Sequence, residues 1–183
     1  MGFTMDSYLE RLRREISDAA SDMSEADWRR APEGRWCSAQ IVEHLGRTYG
    51  TTAKMIELAV ASSGAPAPVR PANVRERLAR LLVVEMGFIP SGLDAPEVVV
   101  PRGELEPEEA LQKALASLER MDAALDAAVE RWGSGPIAMH MLLGPLSARQ
   151  WCRFHYVHGH HHVKQMRQRS RKPRKQAVLE RAY

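Results

Sequence analysis

An all-α fold, a four-helix bundle with an extra short helix and long loops, follows from three features of this 183-residue chain. Apolar residues recur at three- and four-residue spacing through several long segments, as on one face of a helix. Capping residues, prolines and glycines bound those segments. Strand-like alternation is almost absent, while Ala, Leu, Arg and Glu, all good helix formers, are abundant.

Met5, Leu9, Leu12, Ile16, Ala20 and Met23 mark an amphipathic first helix from about Thr4. Ser24 with Asp27 three residues on reads as a capping box opening a short turn, and Pro32-Glu33-Gly34 breaks the chain. Ser38 is expected to cap a second helix whose face carries Ile41, His44, Leu45, Thr48, Thr52, Met55, Ile56 and Ala59. It ends before Ser63-Gly64, and Pro66, Pro68 and Pro71 mark a loop. Val74, Leu78, Leu81 and Leu82 give a shorter third helix; Ile89 to Gly103, with Val98-Val99-Val100, reads as an extended connection. Pro107 suits the first turn of a fourth helix striped by Leu111, Leu115, Leu118, Leu125, Val129 and Trp132, with Gly133 as its stop. After a loop through Gly144-Pro145, Ser147 and Gln150 pair as a capping box for a last long helix. Trp151, Phe154, His155, His158, His162, Gln165 and Met166 share its face. Antiparallel-capable helices of this length pack as a bundle.

Composition narrows the setting. No apolar run approaches the roughly 20 residues that span a bilayer, and the N-terminal residues show no signal-peptide pattern. Two cysteines, Cys37 and Cys152, are too few for a disulfide framework. A soluble, cytoplasmic protein is expected. The net charge of +3 is uneven: Lys164, Arg167, Arg169, Arg171, Lys172, Arg174 and Lys175 hold seven of the 26 basic residues. Without them 19 basic residues face 23 acidic ones, so the body is negative. The chain divides into one domain over residues 1–169 and a basic, flexible tail over 170–183. No nucleic-acid-binding motif accompanies the tail, so a nucleic-acid partner is not expected.

Five of the seven histidines, His155, His158, His160, His161 and His162, fall within eight residues. Positions i and i+4 of a helix lie one above the other. His158 and His162 meet that condition, and their imidazoles can chelate one ion. His155 points inward one turn earlier, His160 points to the opposite side, and His161 lies on the flank. At most three of the five face one site, and a further ligand must come from elsewhere. His44, inside the apolar stripe beside Ile41 and Leu45, is the candidate. Alone it would read as an ordinary hydrogen-bonded core histidine; the inward-facing pair changes that weighing. Glu43 lies about 100° round the helix and is a poor ligand. His140 reads as structural or as part of a substrate mouth.

Trp36-Cys37-Ser38-Ala39-Gln40-Ile41-Val42-Glu43-His44-Leu45 resembles the first signature of the DinB-like superfamily. His158-Gly159-His160-His161-His162-Val163-Lys164-Gln165 is similar to its second, although Val163-Lys164 stands where many members have Arg-Gly. The resemblance implies a four-helix bundle holding a divalent metal, zinc or nickel, on three histidines. By position those are His44, His158 and His162. It also implies a metal-dependent enzyme acting on a small-molecule substrate. Thiol S-transferases using low-molecular-weight thiols (bacillithiol or mycothiol) are among the characterised relatives, and metal-assisted hydrolysis is a second possibility. The alternative is a non-catalytic, metal-stabilised stress-response or interaction module. A homodimer is expected.

Three neutral imidazoles leave a coordination position open, the arrangement of catalytic sites. Such an ion can lower the pKa of a bound water or hold a thiolate. Gln165, three residues beyond His162, is expected to hydrogen-bond a ligand, and His155 to serve as an outer donor, proton shuttle or fourth ligand; these two are the candidate catalytic residues. Cys37 precedes a helix start but has no base placed beside it, and Cys152 next to Trp151 reads as packing.

Overall fold

In the computed structural model, which describes residues 6–62, 70–89 and 94–170, ten short and long elements follow one another. They are α1 (Ser7–Ser21), α2 (Glu25–Arg29), α3 (Ser38–Ala61), α4 (Val74–Arg80), a π turn (Leu81–Glu85), a 3-10 turn (Glu97–Val99), α5 (Pro107–Trp132), β1 (Pro136–His140), β2 (Gly144–Ser147) and α6 (Ala148–Ser170). The expected helix start at Thr4, the Pro66 and Pro68 loop and the tail residues 171–183 lie outside the described residues. No helix among the described residues is long and apolar enough to cross a membrane.

The four long helices form the bundle, with α3 packed along α5 and α1 along α6. Asp6 caps α1 by accepting the Tyr8 N–H, and the face carrying Leu9, Leu12 and Ile16 is fully buried. Ser24 and Asp27 make the anticipated capping box of α2. At α3 the cap is Cys37 rather than Ser38: its thiol takes the Gln40 N–H while Gln40 Oε1 takes the Cys37 N–H at 3.0 Å. Ser38 is already the first helical residue, with its hydroxyl buried.

Small residues bring α3 and α5 together. A Cβ on Gly46 would stand 3.1 Å from the Ala114 Cα, so backbone meets backbone there. The buried stripe of α5 is accordingly Ala110, Ala114, Leu118, Met121, Leu125 and Ala128, and Val129 is exposed. The leucine stripe expected from sequence is rotated: Leu111 and Leu115 sit at its margin because a close contact selects alanine over leucine.

Two connections differ from expectation. Val98-Val99-Val100, anticipated as extended, includes a 3-10 turn over Glu97–Val99. The expected loop before the last helix is a hairpin, β1 pairing antiparallel with β2. Each strand is too short for alternation to show in sequence, and Pro145 is tolerated because a two-stranded sheet has only edges. Ser147 and Gln150 then open α6 as anticipated, with Gln150 Oε1 accepting the Ser147 N–H at 3.0 Å. Helix α4 docks on this hairpin through Arg80, which donates to the Pro145 carbonyl at 3.0 Å.

Gly159 fixes how α6 meets α1 and α3. A Cβ there would lie 2.5 Å from Leu12 Cδ1 and 2.8 Å from Tyr49 Oη, and both residues are fully buried. Gly159→Ala is therefore expected to destabilise the fold by about 1–3 kcal/mol through overpacking. Gly50→Ala, whose new methyl would meet only Ser117 Oγ at an ordinary 3.5 Å, is expected to be neutral or to stabilise by up to about 1 kcal/mol through helix propensity. Thermal melting of the two variants checks this; a shared sign would contradict the packing.

Candidate metal centre

His44 lies on the buried face of α3, two residues before Gly46, where that helix meets α5, and His158 and His162 lie one turn apart on α6. The α3–α6 contact brings them together. One ring nitrogen from each lies within 4.8 Å of the others. His158 Nε2 is 3.1 Å from His162 Nε2 and 3.4 Å from His44 Nε2.

Hydrogen bonds on the far side of two rings decide what those nitrogens carry. His44 Nδ1 is 2.8 Å from the Val99 carbonyl, which can only accept, so Nδ1 holds the proton. His162 Nδ1 likewise donates to Gln165 Oε1 at 2.9 Å. A neutral imidazole with Nδ1–H presents a lone pair at Nε2. Two lone pairs therefore converge on His158 Nε2, whose own Nδ1 is buried without a partner. Aromatic rings fill the flanks: Trp36 lies 4.9 Å from His44, and Phe154 stacks parallel to His158 at 5.8 Å.

Electrostatics keep the three rings neutral. Burial pushes His162 down to about 3, assisted by the neighbouring His44 and opposed by its bond to Gln165. Burial and the two facing histidines drive His158 well below its usual range. His44 is lowered by burial, against the pull of the Val99 carbonyl. Convergent, neutral nitrogens, two of them with the remote N–H of the ring held by an oxygen, are a donor set suited to metal ligation. Among the described residues no fourth His, Cys, Asp or Glu joins the group.

A sequence profile described as the DinB superfamily matches residues 8–166. The chain belongs to the DinB superfamily. Comparisons with curated proteins and with solved structures find no match.

The three histidines singled out in the sequence are the three whose ring nitrogens this fold brings together. The other histidines are dispersed. His155 is fully buried one turn before His158, stacked on Trp151 at 5.7 Å and edge-on to Tyr49 at 5.5 Å, with neither ring nitrogen bonded. Gln165 is engaged on the outer side of His162, its amide nitrogen donating to His161 Nε2 at 3.0 Å. His160 faces α1, 2.6 Å from Glu15 Oε2. His140 Nδ1 accepts the Leu142 and Leu143 N–H groups and so closes the hairpin turn.

Sequence reasoning missed the Val99 carbonyl and the role of Glu43. Both Glu43 oxygens take backbone N–H groups, of Arg102 at 2.8 Å and Gly103 at 2.9 Å. Neighbouring residues of α3 therefore pin the same connecting segment twice.

Burial pushes His155 down to about 3, from an ordinary value of 6.5 that the unfolded chain retains. Between those values the unfolded state binds the extra proton, so stability is full above the upper value and falls as pH drops towards the lower. One such group contributes a slope of about 1.4 kcal/mol per pH unit. Asp122, raised by burial to about 6, has the opposite sign and is common to both proteins in the comparison. His155→Phe in the metal-free chain is expected to remove up to about one proton from the acid slope of urea-unfolding stability. An unchanged slope would show that the ring is not held neutral.

Proposed function

We propose that this DinB superfamily member is a metal-dependent enzyme in which His44, His158 and His162 hold one zinc or nickel ion, and that it transfers low-molecular-weight thiols. The observation that carries the reading is the set of three neutral, convergent nitrogens with no fourth protein donor among the described residues. Structural zinc sites are closed by four protein ligands, whereas catalytic ones keep a position open. An all-imidazole set suits zinc or nickel, while magnesium and calcium favour oxygen donors. Bound there, the ion would supply Lewis acidity, bringing a thiol or a water to its nucleophilic form near neutral pH. Metal-assisted hydrolysis is the next reaction that this chemistry allows.

The chain's own residues prepare the site. The Val99 carbonyl and Gln165 Oε1 fix the tautomers of His44 and His162. Gln165 is a positioning residue, acting through His162. His155, neutral and very weakly basic, is assigned a positioning role against Tyr49 and Trp151 rather than that of a base at pH 7.

Elemental analysis of protein purified without a histidine tag is expected to give about one equivalent of zinc or nickel, with three protein ligands. Removing any one ligand, as in His44→Ala, His158→Ala or His162→Ala, should abolish stoichiometric uptake. Gln165→Ala should weaken it about 10- to 100-fold, the usual effect of losing a ligand's hydrogen-bond partner. Wild-type protein that stays metal-free when offered either ion would falsify the reading.

The loaded protein, mixed with bacillithiol or glutathione and monochlorobimane, is expected to form the thioether faster than protein stripped by a chelator. Metal that raises the melting temperature without any effect on the thiol would instead identify a metal-stabilised module.

A further inference from the structure

Arg169 stands beside this centre with its charge unmatched. On the last turn of α6 its Nε donates to the Trp36 carbonyl at 3.0 Å and its Nη1 to the Gln165 carbonyl at 2.7 Å. Both partners are uncharged main-chain oxygens. Arg13, Arg29, Arg70, Arg120 and Arg153 each face a carboxylate, but among the described residues none pairs with Arg169. Arg30 donates to the Arg169 main-chain carbonyl at 2.7 Å and is itself matched by Asp27. The groups that bear on the guanidinium itself are the Cys37 thiol and, acting against it, the Arg35 cation.

The groups that pin Arg169 are those that touch the ligand histidines. Trp36 packs on His44, and Gln165 holds His162. Arg169 thus joins the supports of two ligands from opposite helices, and its charge bears on the His162 ring. A guanidinium presents five N–H donors in a fixed fork, and two sites of attachment leave others for a planar anion. Half-buried charge without a counter-ion is costly, and a divalent ion nearby would make the region more positive still.

We infer that Arg169 is a specificity-determining residue whose guanidinium receives a carboxylate of the substrate, so that the thiols taken by this site are carboxylate-bearing. The inference rests on the reading of the three histidines as a metal site. A purely structural Arg169 would tie α6 to the segment before α3 and show no preference among small thiols.

Cobalt-loaded protein titrated with 3-mercaptopropionate and 2-mercaptoethanol distinguishes these, with bound thiol read from the cobalt absorption bands. Wild type is expected to bind the carboxylate-bearing thiol roughly tenfold or more tightly, the scale of a charge-assisted hydrogen-bond pair. Arg169→Gln is expected to bring the two affinities within about twofold of each other, and Arg169→Lys, with charge but no fork, to retain part of the preference. Equal affinities in wild type, or a preference untouched in Arg169→Gln, overturn the proposal even where the thiol bands uphold the metal reading.

If the protein takes up no cobalt, zinc and nickel uptake decide the metal reading separately. The Arg169 Nε–H resonance of the metal-free chain then decides about the anion. A shift with 3-mercaptopropionate and none with 2-mercaptoethanol supports the inference; silence with both, or equal shifts, overturns it. This measurement needs no variant, so it also decides the matter if Arg169→Gln fails to fold.

Discussion

The hydrogen bond from His44 Nδ1 to the Val99 carbonyl determines which nitrogen of that ring faces α6. An imidazole carries its proton on one nitrogen or the other, and a carbonyl beside Nδ1 removes the choice. Gln165 does the same for His162. With both tautomers set, the fold holds the His158 ring nitrogen 3.1 Å from that of His162 and 3.4 Å from that of His44. In a polar solvent such an arrangement would relax by taking up protons. Burial prevents that here, because each charged imidazole would lose its hydration.

Helix packing makes the arrangement possible. Gly46 against Ala114 draws α3 and α5 into backbone contact, and Gly159 lets Leu12 and Tyr49 press onto α6. The position of α6 relative to α3 is thus set by steric contacts on both sides of the site. Tyr49 and His155 meet within that packed layer, each with unbonded polar atoms. This buried layer is therefore polar in places where leucine would serve packing alone.

Much of this was legible in the sequence. The i, i+4 spacing of His158 and His162, and the place of His44 in an apolar stripe, identify the three convergent rings because helical phase alone decides where they point. What stayed hidden has physical reasons. Val99 acts through its main-chain carbonyl, which no side-chain pattern reveals. Cys37 displaced Ser38 as the cap because both can accept an N–H, and the choice turns on where the first turn begins. The α5 stripe was read from leucines, but closeness to α3 favours alanines, whose burial depends on the partner helix. Arg169 stood at the end of the expected domain within a run of basic residues, and only the fold separates it from Lys164 and Arg167, which stay exposed.

The double attachment of the segment after the 3-10 turn limits how this chain can vary in length. Val99 is tied to His44, and the N–H groups of Arg102 and Gly103 to Glu43, the residue before it on the same helix. Two anchors one residue apart on α3 hold two points only three and four residues apart on the connector. An insertion or deletion between Val99 and Arg102 would have to release one anchor, and releasing the first frees the His44 tautomer.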